Sequence, residues 1–184
     1  MLRHWIFSAA VTAGLAGVLP LAGCSTEPKG ETAQADLRYD AQNALSKAQA
    51  ADPSLKEVLS KAAGYAVFPK VGKAAVGIGG AYGRGVLYEG GVWVGYCDMT
   101  QANFGIALGG QTFTQIIAFE TPQALAKFKS GNFAFDAAAT AVALKSGAGA
   151  TAKYTDGVSV FVTNESGLMA AASLGGQKFS FTPK

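Results

Sequence analysis

Histidine and cysteine are nearly missing from this sequence. Among 184 residues there is one His, His4, and two Cys, Cys24 and Cys97. His4 falls in an N-terminal stretch that reads as a cleaved leader, and Cys24 closes that stretch. The chain beyond it then holds no His, and Cys97 stands alone. His-based triads, His metal sites, thiolate zinc sites and an internal disulfide are excluded on that count. A Ser-Lys or carboxylate-pair enzyme stays formally open, but the expectation is a non-catalytic protein with no metal and no cofactor.

Charge of one sign is also scarce. Fifteen Lys and Arg stand against twelve Asp and Glu, which is no footprint for nucleic acid. At 49% apolar residues the chain is apolar enough to be globular. Its first long apolar run, Ile6 to Leu19, is too short for a comfortable membrane span. Arg3 and His4 precede the run, and Leu21-Ala22-Gly23-Cys24 ends it. We read residues 1–23 as a bacterial lipoprotein signal peptide, cut before Cys24, which takes the lipid (palmitate among its acyl groups). An ordinary secretory signal or an anchor helix is the alternative. Ser25, rather than Asp, follows the Cys, so the expected location is the outer membrane, facing the periplasm. Residues 24–31, with Pro28 and Gly30, read as a tether, and 32–184 as one domain.

Glycine, by contrast, is abundant, and Val71 to Glu89 is too rich in it for a helix. Taken with period two, Val76, Ile78, Tyr82, Arg84, Val86 and Tyr88 fall on one face, and Gly77, Gly79, Ala81, Gly83 and Gly85 on the other. A bare face admits a second backbone, a helix or a ligand. A nucleotide loop is rejected, because Tyr82 stands where G-x-G-x-x-G needs its last Gly and no helix follows.

Thr32 to Ala50 reads as a helix, with Leu37, Ala41, Ala44, Leu45 and Ala48 on one stripe. The stripe is small, and the bare glycine face is its candidate partner. Asp52-Pro53 starts a second helix that stops at Gly64, with Asp52 as N-cap and Leu55, Val58 and Leu59 buried. Strands are expected at Tyr65–Pro69, along the glycine stretch after a turn at Gly72, and at Val92–Cys97. A bend is expected near Gly83-Arg84-Gly85 and a turn at Gly90-Gly91. Asp98 to Ala102 reads as a loop, Asn103 to Leu108 and Thr112 to Phe119 as strands. Thr121-Pro122 caps a short helix through Lys129, packed by Leu125 and Phe128. Asn132 to Phe135 reads as extended. Ala137 to Ala143 is open between helix and buried strand, with strand slightly favoured. Val158–Val162, Leu168–Leu174 and Gln177–Phe181 complete the strands, with a turn at Asn164–Gly167.

Residues 92–114 echo 158–180 without gaps. Val92 and Val94 match Val158 and Val160, Leu108-Gly109-Gly110-Gln111 matches Leu174-Gly175-Gly176-Gln177, and Phe113 matches Phe179. Two copies are too few for a solenoid. They suit two halves of one sheet, unless the match is chance among Gly-rich strands. The fold class expected is α+β: a strongly curved, mainly antiparallel sheet or barrel with two N-terminal helices and a short mid-chain helix.

Several stretches together resemble the SYLF domain family, the Ysc-type lipid-binding domain. They are Ala63-Gly64-Tyr65-Ala66-Val67-Phe68-Pro69-Lys70, Gly79-Gly80-Ala81-Tyr82-Gly83-Arg84-Gly85, Trp93, Ser166-Gly167-Leu168 and Ser173-Leu174-x-Gly176. The resemblance covers about Leu55 to Phe181. It implies lipid or membrane-surface binding without catalysis, with membrane lipids, anionic phospholipids among them, as partners. A structural or adaptor lipoprotein that engages another protein or peptidoglycan is the alternative.

A phosphate headgroup needs clustered cations. Lys70, Lys73 and Arg84 are those nearest the glycine stretch, with Lys56 and Lys61 before them. Tyr65, Phe68 and Tyr82, with Tyr88, could line an apolar slot for acyl chains. The alternative makes the lysines a solvated surface and the aromatics core. Cys97 reads as a small buried hydrophobe, Asp98 and Asp156 as turn caps, and Trp93 as core or an interface anchor.

Overall fold

The computed structural model describes residues 30–76, 78–104, 109–131, 133–136, 141–163 and 176–184, with side chains except at 73–76, 78–79, 102–104, 109–111 and 134–136. Cys24, the leader, the turn at Asn164 and the strand at Leu168–Leu174 lie outside the described residues. The fold is α+β. In chain order it runs α1 (Glu31–Ala51), α2 (Ser54–Lys61), β1 (Gly64–Val76), β2 (Ile78–Glu89), β3 (Val92–Phe104), β4 (Gly109–Phe119) and α3 (Pro122–Lys129). Then follow β5 (Ala134–Asp136), β6 (Ala141–Ala143), β7 (Val158–Thr163) and β8 (Gly176–Pro183).

The strands form one sheet in the order β5-β8-β3-β2-β1-β4-β7-β6. Every described ladder is antiparallel except β6 with β7, which is parallel. The order is open, with β5 and β6 as its edges, so the alternative of a closed barrel is not realised by strand pairing among the described residues. The order also accounts for the sequence echo. The first copy supplies β3 and β4, and the second supplies β7 and β8. β3 pairs with β8 and β4 with β7, on opposite sides of the central β1–β2 hairpin.

Helix starts follow their local chemistry. Thr121 Oγ1 accepts from Ala124 N at 3.2 Å and caps α3, with Pro122 in the first turn. Leu125 and Phe128 are buried, as expected. Asp52 accepts from Ser54 N and Ser54 Oγ, while α2 itself begins at Ser54, after Pro53. The same carboxylate accepts from Gly147 N and Gly149 N, which ties the 3-10 turn at Gly149–Thr151 to the start of α2.

Three expectations are corrected. The stretch Val71–Glu89 is not one strand. It spans a hairpin whose arms pair from Gly64↔Glu89 to Val76↔Ile78. The period-two pattern continues across the reversal, which hides it. Gly72 is not a turn, because β1 runs through it; at the expected bend, Gly85 of β2 lies opposite the register shift between Val67 and Lys70 of β1. Asp98–Ala102 is not a loop either. It lies inside β3, where Asp98 pairs with Arg84 and Ser180. Asp98, Thr100 and Gln101 make the stretch read as a loop, although Asp98 and Gln101 are buried in the sheet.

The glycine face is also occupied differently. Ala66, Phe68, Val71, Leu87, Met99, Phe113, Ile117 and Phe179 form a core on one face with α3. Ala41, Ala48, Leu55 and Leu59 of α1 and α2 pack on the other, against Val67, Val86, Tyr88, Tyr96, Ile116 and Phe161. So α1 covers the bulky face of β2, not its bare face. Gly83 and Gly85 make room instead for side chains of the neighbouring strand. A Cβ at Gly85 would lie 2.7 Å from Phe68 Cδ1, and one at Gly83 would lie 2.9 Å from Val71 Cγ2. The register shift between Val67 and Lys70 keeps Phe68 and Val71 on this one face. Pro69 falls at that bulge, where its missing N–H costs no regular ladder bond.

Candidate functional site

The bulge in β1 sends Lys70 outward on the helix-covered face, cross-strand from Arg84. Tyr82 and Arg84, two apart in β2, share that face. Helix α1 lies over one side of them with Leu37, Asp40, Ala44 and Lys47 at helical spacing. Between these elements runs a groove of two adjoining pockets with charged side chains on its walls. A pocket of 270 Å³ is lined by Leu37, Asp40, Lys70, Tyr82, Gly83 and Arg84, among others. One of 350 Å³ is lined by Asp40, Asn43, Lys47, Lys70, Thr112 and Thr114, among others. Asp40, Pro69 and Lys70 belong to both.

One side of the groove is a preformed relay. Arg84 Nε donates to Tyr82 Oη at 2.9 Å, and Tyr82 Oη donates to Asp98 Oδ1 at 3.2 Å. Arg84 Nε lies 3.9 Å from Asp98 Oδ1. Asp98 is buried, and burial raises its carboxyl above the ordinary value, opposed by the Tyr82 hydrogen bond and the Arg84 charge. The Tyr82 hydrogen bond in turn raises Arg84. The relay fixes Arg84 beside the groove while leaving Tyr82 46% exposed. Thr114 Oγ1 donates to Pro69 O at 2.8 Å, fastening the bulge to β4.

Of the three expected headgroup residues, Lys70 and Arg84 are brought together, with Tyr82 beside them. The backbone of Lys73 lies further along β1, opposite Ala81, and its side chain lies outside the described residues. The apolar slot is corrected. Phe68 is buried on the opposite face, with its ring centroid 5.8 Å from that of Phe179. Tyr65 stacks on Tyr88 at 5.1 Å and lines a different pocket of 360 Å³, with Lys56, Leu59, Ser60 and the Gly90-Gly91 turn. Burial raises both phenols, Tyr88 to about 12. Phe68 lies on the other face, and Tyr65 sits opposite Tyr88, six residues along β2 from Tyr82, so the three line no common slot.

Cys97 is buried and free, and burial raises its thiol well above the ordinary value. Asp98 is part of the relay and not a turn cap. Asp156, at φ 52°, does sit in a turn. Trp93 is half-buried, donates Nε1 to Gly95 O, and has the Arg38 guanidinium 4.5 Å and the Lys184 ammonium 5.5 Å from its ring centroid. Among the described residues no group of three or more His, Cys, Asp and Glu could hold a metal ion. Among them, too, no helix is long and apolar enough to cross a membrane.

Sequence reasoning missed Asp40, Asn43 and Lys47. Their only signal was spacing, since Asp40 and Lys47 border the small-residue stripe of α1. It also missed three buried amides. Gln177 Nε2 donates to Gln101 Oε1 and to Gln115 Oε1, both at 3.0 Å, and Gln115 Nε2 donates to Gln177 Oε1 at 2.7 Å. The repeated Leu-Gly-Gly-Gln was a signal for Gln177.

No family model matches the chain. It is similar to "Beta cell expansion factor A" of Aeromonas veronii, at 30% identity over 128 residues. The match covers 69% of this chain and 49% of that protein, so the chain spans about half the length of this curated relative.

Proposed function

We propose that this chain is a lipid-anchored protein of the bacterial envelope whose SYLF-like domain binds lipid at a membrane surface without catalysis. The observation that carries the reading is the groove between α1 and the β1–β2 hairpin. It gathers Lys47, Lys70 and Arg84 beside an exposed tyrosine. Cations so placed attract lipid phosphates, and the amphipathic Tyr82 ring suits the boundary between headgroup and acyl chain. The sequence resemblance and the Leu21–Cys24 pattern support the same reading, with the outer membrane as location.

The finer fold reading, a strongly curved sheet, belongs to this proposal. β4 and β8 lie four ladder places apart, about 19 Å in a flat sheet. The Gln115–Gln177 hydrogen bond at 2.7 Å supports a sheet rolled over its apolar core. With that core filled, headgroups rather than whole acyl chains are the natural ligand of the opposite face.

Flotation with lipid vesicles, using the chain from Ser25 onward and so without an acyl anchor, tests the proposal. Binding that weakens between low and moderate salt is expected. No flotation with any lipid composition would refute it and favour an adaptor that engages another envelope protein or peptidoglycan.

A further inference from the structure

The free charges in the groove are of both signs. Arg84 and Asp98 are engaged with each other through Tyr82. Lys47, Lys70 and Asp40 are not: among the described residues the ion pairs are Lys61–Glu57, Arg84–Asp98 and Lys129–Glu89. Asp40 therefore lines both pockets as an exposed carboxylate with no cation within 4.0 Å among the described side chains. Lys70 lines both pockets with it. Lys47 stands two helical turns further along α1, about 10 Å from Asp40 at about 1.5 Å per residue.

A wholly anionic headgroup meets this arrangement badly, because a phosphate drawn to Lys47 and Lys70 brings its remaining negative surface toward Asp40. A headgroup with an ammonium a two-carbon arm away from its phosphate meets both signs. Its phosphate is held by the lysines, with Asn43 and Thr112 as neutral polar neighbours, and its ammonium by Asp40.

We infer that the groove selects a zwitterionic phosphate ester, a phosphoethanolamine-type lipid headgroup, over a purely anionic one. The inference rests on the lipid-binding reading and names the ligand class of that same site. Lys70 and Lys47 supply the affinity, and Asp40 supplies the choice. An exposed carboxylate–ammonium contact contributes little on its own, so the expected preference is modest, about fivefold, equivalent to about 1 kcal/mol.

The test is calorimetric titration of the processed full-length chain in non-ionic detergent. The probes are soluble glycerophosphoethanolamine and glycerophosphoglycerol, which share the phosphodiester and differ in the ammonium. The full-length chain is also floated with vesicles made from the corresponding lipids. The inference expects glycerophosphoethanolamine to bind about fivefold tighter. Asp40→Asn should erase that preference while leaving glycerophosphoglycerol binding unchanged or stronger, and Lys70→Ala should weaken both. Far-ultraviolet circular dichroism and thermal midpoint keep a misfolded variant from counting. Equal binding of the two probes, or a preference for glycerophosphoglycerol, overturns the headgroup choice and leaves lipid binding standing. Flotation that persists when neither probe binds overturns the groove as the site. Failure of both titration and flotation takes the lipid-binding reading down as well.

Discussion

On one face of the sheet Phe68, Val71 and Phe179 fill the space above Gly83 and Gly85, closed by α3. On the other, α1 lays a narrow stripe of Ala41 and Ala48 over Val67 and Val86. The first face is sealed, and its polar groups, the three glutamine amides, satisfy one another. The second is covered by a helix whose contact stripe is thin, so charged residues border an open groove. The same two strands serve both faces, because alternation sends Phe68 one way and, through the bulge, Lys70 the other. A strand can thus supply fold stability and a ligand surface without compromise between them. Substitutions at neighbouring positions should then separate stability from binding.

The largest effect should come from the sealed face. Phe68→Ala removes a fully buried ring and should cost about 3–5 kcal/mol of stability. Lys70→Ala, two positions on, should stay within about 0.5 kcal/mol. Urea denaturation midpoints measure both, and similar losses at the two sites would break the comparison. Next is the amide cluster. Gln115→Leu takes the Gln115 donor from Gln177 Oε1 in an apolar core, leaves Gln177 Nε2 only its bond to Gln101, and should cost about 1–3 kcal/mol. Replacing all three glutamines by leucine should cost less than the sum of the single changes, because the residues form one network. Additive losses would argue against that.

The smallest effect is in pH dependence, and it has opposite signs at two aspartates. Four hydrogen bonds hold Asp52 below its ordinary 3.8, against the opposing effect of its burial. Its folded value lies under its unfolded one. Its contribution is therefore present above pH 3.8 and lost as pH falls through the folded value. Asp98 is raised above 3.8 by burial. Its contribution is present below pH 3.8 and lost as pH rises through the folded value. In urea midpoints followed from pH 3 to 7, Asp52→Asn should flatten the acid loss and Asp98→Asn should remove a decline on the other side. The same sign for both would contradict the hydrogen-bond assignments.

Local signals were legible in the sequence. Thr121-Pro122 announced α3, Gly90-Gly91 the hairpin turn, and the alanine stripe the buried side of α1. The reversal between Val76 and Ile78 was not, because glycines before and after it let one period-two pattern run through it. Asp98 looked like a turn residue because its partner Arg84 is in another strand. The groove was half legible. Lys70, Arg84 and Tyr82 stood out beside the glycine stretch, whereas Asp40 and Lys47 depend on which face of the sheet α1 covers. That choice is tertiary: the bare face was already taken by Phe68 and Val71.

The account's central claim is that the groove, and not basic surface in general, meets the lipid. Vesicle flotation of the chain from Ser25 onward tests it directly by comparing two paired substitutions. One is Lys47→Ala with Lys70→Ala in the groove. The other is Lys56→Ala with Lys61→Ala on α2, which removes the same charge elsewhere. The account predicts that the groove pair loses most of the bound fraction and the α2 pair retains it. Equal losses would reduce the binding to net charge, and loss only in the α2 pair would contradict the assignment of the site.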